Sequence, residues 1–315
     1  MTAKRRRASL DFLVYLALRA LVCLVQALPV RLSLGLAYPL SALAYRFDRR
    51  HREVAAENLR FAFPEKSPAE IDRLVRGCYR HFCLLLVEII LLPRKFRMST
   101  WRDHGELVNG GPVTVALLSD RPCLMVSAHL GNWELAGFAI GALGHRTYAI
   151  ARVLDNPYLE RFLLRFREAT GQTIIAKKDD FDRLDAALKA GAKVATLADQ
   201  DAGPRGVFVE FFGRPASAHK AVALMALEFR ARMVVVGTVR RTNEIGSHIG
   251  PYDIVCEDII DPDDYAQHPD PVKAITQRYH DALARLIRRH PEQYFWLHRR
   301  WKSQPAKRAN AKKAA

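Results

Sequence analysis

The stretch CLMVSAHLGNWELAG, residues 123–137, decides both the fold and the candidate site. Pro122 bounds a short apolar run, 123–128, that suits a buried strand. The chain turns at His129-Leu130-Gly131 and takes helical patterning over 132–143. A strand that feeds a helix through a polar turn is the unit of an α/β layer. In such layers ligands bind beyond the carboxyl ends of the strands, which is where His129 falls.

The same alternation continues downstream. Strands are expected over 147–153, 173–176, 193–198, 233–239 and 249–256. Helices are expected over 157–170, 180–190, 220–230 and 271–290, with Gly171 and Gly191 as stops for the first two. Upstream, RRHREVAAENL reads as a helix that Phe61-Ala62-Phe63-Pro64 ends. Ser67-Pro68-Ala69-Glu70 then opens another, with Ser at the cap, Pro in the first turn and Glu at the third position. Leu74, Cys78, Phe82 and Leu85 keep helical spacing along it, and Pro93 is expected to end it.

Forty-nine Lys and Arg against 33 Asp and Glu give a net charge of +16, and half the residues are apolar. A disordered chain is excluded, and an anionic partner is implied. The basic residues are spread along the chain without a nucleic-acid-binding motif, so nucleic acid is not an expected partner. The five cysteines, Cys23, Cys78, Cys83, Cys123 and Cys256, lack paired spacing, so no disulfide framework or metal site is expected. Residues 12–28 are apolar apart from Arg19 and Gln26 and follow Lys4-Arg5-Arg6-Arg7. Spanning and lying in the interface both remain open for this segment, and either requires Arg19 to face protein or snorkel. A second apolar segment, 32–47, ends in a basic collar of Arg46, Arg49, Arg50, His51 and Arg52, suited to anionic headgroups. The expected division is a membrane-anchoring segment over 1–50, a catalytic domain over 51–304 and a basic disordered tail over 305–315.

Glu134 follows His129 by five residues. Inside one helix that spacing sets the side chains about 140° apart, so they cooperate only if His129 precedes the helix. A carboxylate on one ring nitrogen would leave the other free to accept a proton, and the helix N-terminus offers N–H groups to an oxyanion. A purely structural His-to-carboxylate bond is the competing reading. Asp199 ends the strand VATLA, and either orients His129, binds a sugar hydroxyl or shapes a turn. Arg152 and Asn156 flank a strand end, where Arg152 either holds phosphate or forms a surface ion pair.

Five stretches extend this reading. HLGNWELAG (129–137) is similar to the acyltransferase signature H-x4-D/E in its glutamate form. REVAAENLRFAFP (52–64), ARVLDNPYLE (151–160), LADQDAGPRGVFVEFFGRPA (197–216) and PEQYFWLHRRWK (291–302) follow in order. Together they resemble the bacterial lipid A biosynthesis lauroyl/myristoyl acyltransferase family over nearly the whole chain. Ser217-Ala218-His219-Lys220 departs from it, where the family usually carries threonines. The resemblance implies a glycerolipid-acyltransferase-like mixed sheet flanked by helices, with an N-terminal membrane helix. It implies a donor on acyl carrier protein or CoA, a glycolipid hydroxyl as acceptor, no cofactor, and the cytoplasmic face of a bacterial inner membrane. His129 and Glu134 would be catalytic, and Arg152, Asn156, Arg167 and Asp199 would bind substrate. Acylation of another glycolipid, such as a phosphatidylinositol mannoside, and a basic membrane-binding protein without activity are the alternatives.

Overall fold

The computed structural model describes residues 8–176, 180–242 and 245–305. The basic start at 4–7 and all but the first residue of the expected tail, 305–315, lie outside the described residues.

The N-terminal layer comprises α1 (Ala8–Ala27), α2 (Val30–Gly35) and α3 (Ala37–Phe47). Asp48 caps α4 (Arg49–Ala62), accepting from His51 N. Ser67 and Glu70 form the expected capping box at the head of α5 (Pro68–Lys95). Pro93 does not end α5. The helix continues for two more residues because Leu91 and Leu92 are fully buried, and packing outweighs the local cost. The Gln26 amide donates to Ile90 O at 2.7 Å, satisfying a carbonyl in the turn the proline disturbs.

After α6 (Trp101–His104) come β1 (Gly105–Val108), α7 (Gly110–Leu118), β2 (Cys123–Ser127), α8 (Trp133–Ala142) and β3 (Thr147–Ala151). They are followed by α9 (Pro157–Glu168), β4 (Gln172–Ala176), α10 (Phe181–Lys189), β5 (Lys193–Leu197), β6 (Val207–Phe211) and β7 (Arg214–Ala218). The chain closes with α11 (Lys220–Glu228), β8 (Arg232–Arg240), β9 (Tyr252–Ile260) and α12 (Pro271–Arg289). Sequence reasoning had not placed β1, α7 or the β6–β7 hairpin. β1 is only four residues long. The hairpin turns through Phe212 and Gly213, both at positive φ, without an Asn-Gly or Asp-Gly signal.

Seven strands form a mixed sheet in the order β1-β9-β8-β2-β5-β3-β4. The five strands from β8 to β4 run parallel, whereas β9 is antiparallel to β8. The apolar run of β2 serves both faces, as a central parallel strand must. Leu124 and Val126 join the core with Val222 of α11 and Leu283 and Leu286 of α12. Cys123 and Met125 pack with Val113 and Ala116 of α7. The N-terminal layer is fixed to this body through Val25, Leu34 and Ala37, which share a cluster with Leu84, Val87 and Leu91 of α5.

Candidate active site

The register of two neighbouring strands builds the centre of the site. Ser127 of β2 lies opposite Leu197 of β5. Two residues further along these strands are His129 and Asp199. The Asp199 carboxylate accepts from His129 N at 3.1 Å and contacts His129 Nδ1 at 2.8 Å. A buried carboxylate can only accept, so Nδ1 carries the proton and Nε2 keeps its lone pair. Trp133 meets the imidazole edge-on at 5.1 Å between centroids, and Phe295 lies on it at 6.1 Å.

Burial alone would lower the pKa of His129, but the Asp199 charge and hydrogen bond, aided by the Glu134 charge, raise it above its ordinary value. Asp199 is fully buried, which alone would raise its pKa. The His129 charge and hydrogen bonds outweigh that and hold the carboxyl below its usual range. The linkage follows in sign. His129 contributes stability that is complete below about pH 6.5 and is lost as pH rises through its folded value. Asp199 contributes stability present above about pH 3.9 and lost as pH falls toward its folded value. The pair therefore stabilises the fold most in the interval between.

The turn after His129 is clamped on three sides. Gly131 has φ +60°, and a Cβ there would fall 1.5 Å from Thr238 O, so only glycine fits. Gly131 N donates to Gln293 O at 3.0 Å, and Asn132 N to Thr238 O at 2.8 Å. Phe295 N donates to His129 O at 2.9 Å. Asn132 caps α8 by accepting from Leu135 N at 2.9 Å, and its amide donates to Glu88 at 3.1 Å. Glu88 is fully buried and paired with Arg240, while Tyr252 donates to it. The Gln293 side chain closes the network on the Arg240 backbone at 2.7 and 2.9 Å. Glu88, Asn132, Arg240, Tyr252 and Gln293 were not singled out from the sequence. They lie in different elements and share no spacing. The one available signal was a glutamate inside the otherwise apolar run of α5.

The remaining candidates are placed as follows. Glu134, in the first turn of α8, does not hydrogen-bond His129. It forms a two-pronged pair with Arg167 of α9, at 2.5 and 3.1 Å. The carboxylate that holds the imidazole is Asp199, seventy residues away, because strand register brings it there. Arg152 is exposed beside Asp155 at 3.5 Å. Asn156 is buried and structurally engaged. It caps α9 by accepting from Tyr158 N and Leu159 N, and donates to Asp11 O at 2.9 Å. The structure thus brings together His129, Asp199, Glu134 and Arg167, and leaves Arg152 and Asn156 outside that cluster. Among the described residues no group of histidine, cysteine and carboxylate side chains has the arrangement of a metal site.

The profile of the bacterial lipid A biosynthesis acyltransferases matches residues 2–303. This chain belongs to that family. Similar proteins include the lipid A biosynthesis palmitoleoyltransferase of Escherichia coli, 27% identical over 271 residues, which cover 84% of this chain and 83% of the relative. The lauroyltransferase of the same organism is 26% identical over 298 residues, 93% and 92% of the two chains. The phosphatidylinositol mannoside acyltransferase of Mycobacterium tuberculosis is 24% identical over 221 residues, 68% and 66% of the two. The chain is therefore an acyltransferase, and the alternative of a membrane-binding protein without activity is set aside.

Proposed function

We propose that this lipid A acyltransferase moves a fatty acyl chain from an acyl thioester, on acyl carrier protein or CoA, to a hydroxyl of a lipid A precursor. The observation that carries the mechanism is the His129–Asp199 contact at the ends of two adjacent parallel strands. His129 Nε2 takes the acceptor proton as the hydroxyl oxygen attacks the thioester carbonyl carbon. The C–O bond forms, and charge collects on the carbonyl oxygen. As the C–S bond breaks, the departing thiolate takes the proton back from His129. Asp199 fixes the tautomer and stabilises the imidazolium. Glu134 adds negative potential near His129 and holds Arg167 beside it, where a guanidinium stabilises the oxyanion or an acceptor phosphate. Direct transfer is favoured over an acyl-enzyme. Ser127 Oγ contacts Ala128 O rather than the imidazole, and no cysteine lies in the turn.

The membrane setting rests on α1–α3. Leu13, Leu24, Leu32, Leu43 and Phe47 are all exposed there, an apolar surface suited to lipid. Helix α1 also packs on α5 and α9, and the exposed Arg19 guanidinium lies over the Phe162 ring at 5.1 Å. The soluble donor carriers assign the work to the cytoplasmic face of the inner membrane. A phosphatidylinositol mannoside is the second reading for the acceptor, favoured by the mycobacterial relatives.

The test is transfer of labelled acyl chains from each carrier to each class of acceptor, with wild type and His129→Ala. The variant is expected to lose transfer on the order of 10²-fold or more while still folding. Activity within tenfold of wild type would end the general-base assignment. Mass spectrometry of the lipids of a deletion strain identifies the acceptor and the chain.

A further inference from the structure

Where α1 meets α5 and α9, the structure holds a cavity of about 550 Å³. That is within the ~300–1,000 Å³ typical of small-molecule sites. The floor is apolar, with Val22, Ile89, Ile90, Phe162 and Phe166. Arg19, Arg94, Arg161 and Arg165 also line it, and no aspartate or glutamate does. None of the four forms an ion pair among the described residues. Two are braced by rings, Arg19 over Phe162 and Arg161 over Tyr158, each at 5.1 Å. His129, Asp199, Glu134 and Arg167 do not line this cavity.

The four arginines are exposed, so water screens their mutual repulsion, but none is neutralised by a neighbouring carboxylate among the described residues, and an anion bound among them would gain their charge-assisted hydrogen bonds. Guanidinium groups pair with phosphate through forked hydrogen bonds, whereas the floor suits an alkyl chain. A free phosphate would leave the floor uncovered, and a neutral lipid would leave the arginines uncompensated. The outer face of α1 is itself apolar, with Leu13 and Leu24 exposed at 60% and 67%, so the cavity adjoins a surface suited to the bilayer. We propose that this cavity binds an anionic phospholipid drawn from the membrane, its phosphate on the arginines and an alkyl chain along the floor.

The full chain, purified in detergent and stripped of lipid, should be titrated with phosphatidylglycerol, phosphatidylcholine or inorganic phosphate under native mass spectrometry. One phosphatidylglycerol is expected to bind, with phosphatidylcholine and inorganic phosphate binding far more weakly. Arg161→Gln/Arg165→Gln should weaken that binding by on the order of tenfold. Arg161→Lys/Arg165→Lys should restore part of it, and Cys23→Trp should block it by filling the cavity. Arg183→Gln/Lys189→Gln on α10, remote from the cavity lining, should leave it unchanged. Thermal melts without lipid check that each variant folds. Equal phosphatidylglycerol binding by wild type and the paired Gln variant would overturn the proposal. Equal binding of phosphatidylcholine, displacement by inorganic phosphate, or an equal loss in the α10 variant would do the same. Because the readout is binding, it stands or falls independently of the acyl-transfer reading.

Discussion

Asp199 and Glu134 both act on His129, but they are held in opposite ways. Asp199 stands on the floor of the site, fully buried and hydrogen-bonded to the imidazole. Glu134 stands on the wall, on α8, and its carboxylate is taken up by Arg167 of α9. The floor is set by β2–β5 register and braced by the Glu88–Arg240 network. The wall is set by the packing of two helices, through the Phe138–Phe166 stack at 5.7 Å as well as the ion pair. The carboxylate near in sequence is thus one step removed in space, and the distant one touches the imidazole. In the proposed mechanism the difference separates two tasks: fixing the base on the floor, and presenting a cation on the wall.

The largest expected effect falls on the floor. Asp199→Asn keeps the shape but removes the charge, and permits the wrong imidazole tautomer. We expect kcat to fall on the order of 10³-fold or more, measured with saturating donor and acceptor. A smaller loss than that of Glu134→Gln would reverse the order of the two carboxylates.

The next effect falls on the wall. Glu134→Gln should cost on the order of 10²-fold, and Glu134→Asp should retain part of the rate. Arg167→Gln should be comparable, and the double variant little worse than either single one, since each change breaks the same pair. Full additivity in this cycle would mean that the two residues act separately and that the ion pair is incidental.

How far the sequence revealed all this depended on whether the information was local. The capping box at Ser67, the strand 123–128 and the stripe of α12 were legible because spacing alone carries them. Helix α12 buries Ile275, Tyr279, Leu283 and Leu286 and exposes Lys273, Asp281 and Arg285, the pattern of a helix between a core and water. Helix α1 inverts it, burying Asp11 and turning Leu10, Leu13, Leu21 and Leu24 outward. Its composition suggested a membrane segment, but the inward stripe required knowing what it packs on. At the site, His129 could be placed from the strand that precedes it. Asp199 was recognised as a candidate with its role left open, because pairing register is not written in either strand. Asn156 read as a ligand residue, whereas its side chain is engaged in capping α9 and tying it to α1.

The central claim is that a neutral His129, held by Asp199, is the base. It is tested most directly by the pH dependence of kcat/KM for wild type and Asp199→Asn. Because the pKa of His129 is raised above 6.5, the wild-type acid limb should have its midpoint above that value. Activity should be lost below the midpoint as the imidazole protonates, and Asp199→Asn should move it to lower pH as well as reducing the rate. A wild-type midpoint at or below 6.5, or one that Asp199→Asn leaves in place, would contradict the account.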